Sequence, residues 1–409
     1  MRSSARMIDV LWVLGLTSSM AVLSAAAQDV AQPQTAQPQT AQPPTGGQSP
    51  QQAPPQQQQQ PQQAAEPDKA IIEQVKPLYA LVDEAMKSGG ASDASAWNVD
   101  PSGKQPPSAA TPPSKPTLAT DFVGFPDRQV YVPFQLQLDA QTLPSPAVAV
   151  YVRAVAKSAA GAAKASGASA QEEDPKQEES DEPSAKEPAE TKFPFEDFYV
   201  GTTKQVGPNE PSVLSGYALL PTGAYDLYVA LRERATDASK PFQAIVVKAA
   251  LDVPNYGGGE LTTSSVLLAK KMEELPKEPT PDERHENPYT LGRARLIMAS
   301  DGVFAQGDEF NLVMFVYNFG TDQNKKPDVT VEYQLFEKSG EAEKEFVKLE
   351  PQTYDASTVD STDDRLAVSL SFAMSDLKKQ GEFRLVIKVT DNTSGKSLTR
   401  DAPFTVAAS

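Results

Sequence analysis

The chain has 409 residues, with 54 acidic and 37 basic side chains, one histidine, no cysteine and a formal net charge of −17. This acidic balance argues against nucleic acid and anionic membrane surfaces as partners, because affinity for phosphate depends on clustered lysine and arginine. Without cysteine there are no disulfides, and one histidine is too few for a zinc site with several His or Cys ligands. Each folded module must therefore be large enough to do without covalent cross-links.

The first 27 residues have the pattern of a secretory signal peptide. Two arginines precede an apolar run from Val10 to Leu23, and the segment closes on three alanines. This pattern predicts cleavage before Gln28 and a periplasmic or extracellular protein with no transmembrane segment after cleavage. A retained membrane anchor is the alternative, although the run is interrupted by hydroxyl residues and is short of the ~20 apolar residues that span a bilayer.

A predicted amphipathic helix lies between two segments of linker composition. Residues 28–66 are mainly Ala, Gln, Pro and Thr, and with almost nothing apolar to bury they are predicted to be a disordered spacer. Residues 67–89 have apolar side chains at helical spacing, and Pro77 is expected to kink or divide this helix. The apolar face packs either on its own domain or on another protein. Residues 90–119 form a predicted linker, in which Trp97 is either an anchor or exposed.

Residues 120–256 are predicted to form a first β-sandwich. Val130 to Leu138 alternates apolar and polar side chains, and Pro133 inside it suggests an edge strand or a bulge. Residues 157–192 are predicted to be a disordered acidic insertion within this module, because strand patterns resume on both sides. The other strand segments are Val148 to Val152, Phe193 to Val200, Ser215 to Leu220, Tyr225 to Leu231 and Phe242 to Val253.

Residues 257–288 are predicted to link the modules, and residues 289–409 to form a second sandwich. The linker contains three consecutive glycines and a charged, proline-bearing stretch, while residues 261–269 fit a strand or a short helix. Short alternating segments separated by turns are the pattern expected for a sandwich. In the second module they are Phe310 to Val316, Val329 to Leu335, Leu366 to Phe372, Phe383 to Val389 and a last strand ending near Val406.

Both modules contain the same local construction. Gly223 and Tyr225 introduce one alternating strand, and Gly381 and Phe383 introduce the other. A turn glycine, an aromatic residue two positions later and strict alternation resemble the tyrosine corner of immunoglobulin-like sandwiches. The hydroxyl bond that defines a true tyrosine corner is possible only in the first module, because the second has phenylalanine.

The stretch from Asp121 to Val406 thus resembles tandem immunoglobulin-like or fibronectin-type-III-like modules of secreted bacterial proteins. Leu220 to Tyr225 and Val253 to Asn255 are also distantly similar to sandwich regions that accompany von Willebrand-type or GWxTD domains. The Gly-Trp-x-Thr-Asp motif itself and an Asp-x-Ser-x-Ser metal-adhesion motif are absent from the sequence. The resemblance therefore implies a mainly β fold of two tandem antiparallel sandwiches and no functional residues.

The candidate chemical groups are few. His285 lies in the predicted linker and is expected to be a solvated side chain. Asp226 and Asp391 are candidate carboxylates for a glycoside hydrolase, which needs two acids at a defined separation. A calcium site is the alternative use of such acids, at the cluster Asp360, Asp363 and Asp364 or in the turn of Asp391 and Asn392. Neither pattern is specific, so no catalytic residue, metal or cofactor is predicted.

These patterns favour an exported, non-catalytic interaction or structural module of the cell envelope that acts through protein–protein contacts. The expected partner is another envelope or extracellular protein, and the oligomeric state stays open. The alternatives are a module that binds a small ligand, glycan or calcium, and a carboxylate-dependent hydrolase. We expect the main partner surface in residues 289–409, where Tyr317, Phe319 and Tyr333 are predicted to lie at the surface between strands.

Overall fold

A computed structural model describes residues 69–87, 94–100, 107–110, 115–139, 142–143, 145–157, 193–205, 211–234, 240–359 and 364–407. The protein is mainly β, with antiparallel sheets and one long helix, which confirms the predicted fold class. The predicted signal peptide, the spacer and all but the first residue of the acidic insertion lie outside the described residues. None of the helices in the described ranges is long and apolar enough to cross a membrane.

The first module consists of helix α1 (Lys69–Lys87) and strands β1 to β11. The strands are β1 (Ala94–Val99), β2 (Ser108–Ala110), β3 (Thr117–Thr120), β4 (Val123–Phe125), β5 (Gln129–Leu138), β6 (Ala147–Ala156), β7 (Phe195–Thr202), β8 (Lys204–Gln205), β9 (Ser212–Pro221), β10 (Gly223–Glu233) and β11 (Phe242–Val253). Every strand predicted for this module is present, because each has apolar side chains at period two on the face that packs inward.

The second module consists of strands β12 to β23 and a short helix, α2 (Pro281–Glu286). The strands are β12 (Thr262–Thr263), β13 (Leu267–Glu274), β14 (Thr290–Leu291), β15 (Ala294–Met298), β16 (Val303–Phe304), β17 (Glu309–Tyr317), β18 (Val329–Ser339), β19 (Ala342–Lys348), β20 (Gln352–Tyr354), β21 (Arg365–Ala373), β22 (Gly381–Asp391) and β23 (Ser397–Val406).

Four sheets arrange these strands as two sandwiches. Sheet 1 has the order β2-β1-β11-β10-β6-β7, and sheet 2 has β3-β5-β9-β8 with β4 also paired to β5. Sheet 3 has the order β12-β17-β13-β15-β14 with β21 paired to β17, and sheet 4 has β16-β23-β22-β18-β19 with β20 paired to β18. Sheets 1 and 2 enclose one apolar core, and sheets 3 and 4 enclose another.

The two sandwiches pack face to face through sheets 2 and 3. The apolar cluster between them, called the inter-sandwich interface below, is formed by Val123, Tyr131, Leu267, Ala269, Tyr289, Leu296, Val313, Phe315 and Tyr317. Strand β17 is therefore buried on both faces: Leu312 and Met314 point into the core between sheets 3 and 4, and Val313 and Phe315 point into the interface. The molecule is a continuous stack of sheets 1 to 4.

Helix α1 covers the outer face of sheet 1. Its apolar side chains, including Leu78 and Val82, pack on Ala149, Ala230 and Ala244, all of which are fully buried. Small side chains on the sheet let the helix approach closely. The sequence left open whether this face packs on its own domain, and the structure shows that it does.

Arg153 of β6 fastens the C-terminal part of α1 to the sheet. Its guanidinium binds Asp83 of the helix at 2.5 Å and Glu196 of β7 at 3.1 Å. The arginine is almost fully buried, whereas both carboxylates are half-exposed. The guanidinium of Arg153 thus joins α1, β6 and β7 of the first module.

Packing bears on two local predictions. Pro77 lies inside one undivided helix, because burial of the apolar face offsets the ~3 kcal/mol cost of proline. Pro133 lies in β5, which is a central strand with neighbours on both sides. The carbonyl of Pro133 accepts from Asp121 N–H in the gap between β3 and β4. In an antiparallel strand the N–H and C=O of one residue point to the same side, so the N–H that proline lacks would also face this gap. Pro133 therefore lies opposite the break between β3 and β4.

Both predicted linkers contribute to the sheets. Residues 90–119 contain β1, β2 and β3, and Trp97 in β1 is buried beneath α1. Residues 257–288 contain β12 and β13, which pair with β17 in sheet 3. Their charged side chains concealed the strand pattern, since β13 carries Lys, Lys, Glu and Glu at its exposed end. The second sandwich therefore begins before residue 289.

Candidate functional site

A groove of about 450 Å³ opens on the side of the stack, where one edge of each sheet meets. Sheet 1 contributes Asp252, sheet 2 contributes Asp121, the start of sheet 3 contributes residues 262–266, and sheet 4 contributes Arg400 and Asp401. The complete lining is Asp121, Phe122, Asp252, Pro254, Tyr256, Thr262, Thr263, Ser264, Ser265, Val266, Arg400 and Asp401.

The floor of this side groove is held rigidly by both sandwiches. Ser265 N–H donates to the carbonyl of Phe122, and Phe122 N–H donates to the Ser265 hydroxyl, each at 2.9 Å. On the other side, Phe315 N–H donates to the Ser264 hydroxyl at 2.9 Å. The segment between β12 and β13 therefore bonds to both modules and fixes the groove geometry.

The charged groups of the groove have different surroundings. Arg400 Nε donates to the Thr263 hydroxyl at 2.8 Å, and Asp401 is paired with Arg384. Asp252 is exposed. Asp121 accepts a hydrogen bond from the Tyr289 hydroxyl at 2.9 Å. Burial raises the pKa of Asp121, and the hydrogen bonds from Tyr289 and Ser265 offset only part of that rise.

Asp121→Asn is expected to stabilise the protein at pH 7. The pKa of Asp121 is raised in the folded state. Its contribution to stability is therefore fully present below the unfolded-state pKa of ~3.9, and it is lost as the pH rises through the folded-state pKa. An amide avoids the cost of the buried charge and still accepts from Tyr289. Urea unfolding should show the stabilisation at pH 7 and its loss near pH 4. Asp252 is exposed in the same groove, so Asp252→Asn is the control. An equal gain in stability from both variants at pH 7 would contradict a cost specific to burial of the Asp121 carboxylate.

The groove offers hydrogen bonds and charge rather than a catalytic triad. Its lining presents three carboxylates, one guanidinium and several hydroxyls. Within the described residues, no three His, Cys, Asp or Glu side chains are placed to hold a metal ion. The groove was not predicted from the sequence. Its residues come from four distant segments, and none of them stands in a recognisable motif.

His285 is buried and not solvated, which corrects the prediction. Its ring stacks between Tyr199, at 4.1 Å between centroids, and Tyr217, at 4.9 Å. Its Nε2 lies 3.4 Å from a carboxylate oxygen of Asp197. Helix α2 therefore docks on β7 and β9 through this ring, with Lys204 donating to the carbonyl of Glu286. The histidine joins the interdomain segment to the first sandwich.

The carboxylates singled out in the sequence are engaged in local structure. Asp226 bridges Lys248 at 3.0 Å and Lys157 at 3.1 Å. Burial favours a higher pKa for Asp226, but the two lysines outweigh it and hold the pKa below its ordinary value. A carboxyl that stays ionised is poorly suited to be a general acid.

Asp391 is buried in the turn predicted from the sequence. It accepts from Gly320 N–H at 2.8 Å and Thr393 N–H at 3.1 Å, and also from the Ser394 hydroxyl. Asn392 donates to Asp328, on the preceding loop. These bonds use the oxygens of Asp391 to fix the turn. Asp360 and Asp363 lie outside the described residues.

The predicted surface aromatics of the second module are mostly internal. Tyr317 lies in the inter-sandwich interface, and Tyr333 is fully buried in the core between sheets 3 and 4. Phe319 is partly buried against the same core. Strand β17 is buried on both faces, and Tyr333 lies on the face of β18 that points into the core. Tyr317 and Tyr333 therefore do not lie at an exposed surface, contrary to the prediction.

The two corners differ in detail from the predicted motif. Gly223 and Gly381 have φ values of 151° and 132°, which favour glycine, and the rings of Tyr225 and Phe383 are buried. No hydrogen bond joins the Tyr225 hydroxyl to any backbone group of the described residues. The construction acts through its glycine and its buried ring in both modules.

No family model matches the chain, and no curated protein matches it. The function proposed below therefore rests on the sequence and the geometry of this chain.

Proposed function

We propose that the protein is an exported, non-catalytic interaction or structural module of the cell envelope that acts through protein–protein contacts. The observation that carries this proposal is the inter-sandwich interface. It joins both sandwiches into one body, with the side groove held open across all four sheet edges. A preformed surface on a rigid body loses little conformational entropy on binding. The signal-like N-terminus and the immunoglobulin-like resemblance support the same reading.

Binding of a polar small molecule or glycan is the second candidate, and the groove lining favours it. The hydroxyls of Thr262, Thr263 and Ser265 stand beside Asp252 and Arg400, and together they can donate to and accept from a polyhydroxylated ligand. The partner in either case meets the groove as a polar, partly acidic surface.

Capture from an envelope extract tests the proposal. The bait is the chain from residue 28 to 409, because residues 289–409 alone lack β13 and would expose the inter-sandwich interface. We expect the wild type to retain a stoichiometric protein partner, and Asp252→Lys to retain at least tenfold less. Glu341→Lys makes the same charge change on an exposed turn outside the groove and should bind as the wild type does.

A result in which the wild type retains nothing beyond an unrelated protein of equal net charge contradicts an interaction module. If a defined glycan binds the wild type and this binding is also lost in Asp252→Lys, the second candidate replaces the first.

A further inference from the structure

Strand β23 of sheet 4 is paired along only part of its outer edge. On one side it pairs with β22 along its whole length, from Ser397 to Val406. On the other side, β16 pairs only with Thr405 and Val406. No further strand of the described residues pairs with β23. The segment from Ser397 to Asp401 is therefore a free edge of sheet 4, called the β23 edge below.

The hydrogen bonds of Thr405 show which backbone groups face this edge. Thr405 N–H donates to the carbonyl of Gly302, just before β16, at 2.8 Å. Thr405 thus faces away from β22, and every second residue of a strand has its N–H and C=O on the same side. The backbone groups of Ser397, Thr399 and Asp401 consequently face outward too. All three residues are exposed, and no backbone carbonyl of the described residues accepts from their N–H groups.

Pro403 explains why the pairing with β16 stops. It belongs to the same outward-facing set as Thr405, but it has no N–H to donate. Its ring is tolerated there because the missing donor faces away from β22. Pro403 therefore separates the paired end of β23 from the β23 edge and limits how far an added strand can extend.

The side groove lies beside the β23 edge. Arg400 and Asp401 line the groove, so an extended chain on this edge would place every second side chain over it. Arg400 Nε donates to the Thr263 hydroxyl at 2.8 Å, and its Nη1 donates to the carbonyl of Thr399 at 3.2 Å. A carbonyl oxygen accepts two hydrogen bonds, so Thr399 can still accept from an added strand. The room for side chains distinguishes this edge from a flat one.

The charges beside this edge favour a basic ligand. The groove presents three carboxylates against one guanidinium, and the whole chain has a formal net charge of −17. An acidic surface attracts and steers a basic partner. An unpaired strand edge is completed by the backbone of an extended chain, whose main-chain hydrogen bonds give affinity while its alternate side chains give specificity.

We propose that the β23 edge takes up an extended, basic segment of the partner protein as an added strand of sheet 4. The backbone groups of Ser397, Thr399 and Asp401 bind this segment, and its alternate side chains enter the side groove. Pro403 limits the added strand to about the length of residues 397–401. This inference rests on the proposed function, because it names how the partner occupies the same groove.

Residue-resolved amide hydrogen exchange of the chain from residue 28 to 409 tests the strand addition. The probe is a capped heptapeptide that alternates lysine and valine, added at saturating concentration. We expect exchange at Thr399 and Asp401 to slow at least tenfold on binding, because their N–H groups gain acceptors. Arg400 and Ala402 face β22 in both states, so their exchange should not change, and they are the internal control.

A pair of variants isolates the backbone donor. Thr399→Pro removes one outward N–H and leaves the bonds to β22 in place, so it should weaken peptide binding at least tenfold in fluorescence anisotropy. Thr399→Val keeps the N–H and should bind within twofold of the wild type. The same peptide with every backbone nitrogen methylated keeps its charge and should not bind. This peptide decides the test on the wild type if Thr399→Pro does not fold.

Four outcomes overturn the strand addition. The first is slow exchange at Thr399 and Asp401 in the free chain, which would mean that another segment of the chain already covers the edge. The second is protection of a different edge, such as that of β21. The third is equal binding of the methylated peptide or of a glutamate–valine peptide. The fourth is no binding of the lysine–valine peptide.

The capture experiment separates this inference from the proposed function. A partner that is retained equally by Thr399→Pro and Thr399→Val, but lost from Asp252→Lys, would leave the proposed function standing and refute the strand addition. A wild type that retains no partner contradicts the proposed function itself.

Discussion

Tyr317→Ala is expected to lower the free energy of unfolding by about 3–5 kcal/mol. Tyr317 lies in the inter-sandwich interface, where its ring packs on Tyr256 at 4.5 Å between centroids. Its hydroxyl accepts from Gly124 N–H at 2.8 Å. Truncation removes the ring from a packed layer and leaves that buried donor without a partner. Urea unfolding of the chain from residue 28 to 409 measures the loss.

Tyr317→Phe separates the two contributions. It keeps the ring and orphans only the Gly124 donor, so the expected loss is about 1–3 kcal/mol. Burial raises the pKa of Tyr317 to about 12, and the hydroxyl is therefore neutral over the whole working range. The loss should not vary between pH 6 and 9. A loss below about 1 kcal/mol for Tyr317→Ala would contradict a packed contact between the sandwiches.

Leu78→Asp is expected to release α1 from sheet 1. Leu78 is fully buried between the helix and the sheet, so the change removes apolar burial of about 2–5 kcal/mol and adds a carboxylate that must leave the apolar layer. Trp97 and Tyr151 then become exposed. Limited proteolysis should cut α1 rapidly, and the tryptophan emission should shift to longer wavelength.

Ala80→Asp is the matched control for this change. Ala80 is exposed on the same helix, so a carboxylate there meets water and costs less than about 1 kcal/mol of helix propensity. Equal protease sensitivity of the two variants would mean that α1 is not held by its apolar face.

The strands of both cores could be predicted from sequence because burial on one face imposes period two. Phe242 to Val253 was predicted with the bounds that β11 has in the structure. Residues 261–269 were predicted to be a strand or a short helix, and the rest of β13 was missed because its charged end is exposed and only Leu267 and Ala269 are buried. Its place in sheet 3 is decided by pairing with β17, a contact across more than 40 residues that local pattern does not encode.

The environment of His285 was missed although a local signal existed. Thr280 and Glu283 form a capping box, with Glu283 N–H donating to the Thr280 hydroxyl and the Thr280 N–H donating to the Glu283 carboxylate. Thr-x-x-Glu with proline at the first helical position is a recognised start signal for a helix. The docking of that helix on Tyr199 and Tyr217 depends on tertiary packing and has no counterpart in the sequence pattern. The side groove likewise depends on tertiary packing and could not be predicted from the sequence pattern.

Burial of β17 on both faces makes the two sandwiches thermodynamically interdependent. An emerging chain that ends at Val253 has every strand of the first sandwich, yet the outer face of sheet 2 with Tyr131 still lacks its cover. That cover begins with Leu267 and Ala269 and is complete only with Val313 and Phe315, about 60 residues after Val253. Calorimetry should then record one heat-absorption peak for both modules, with no separate domain melting, and most of the chain must be present before either half gains its full protection.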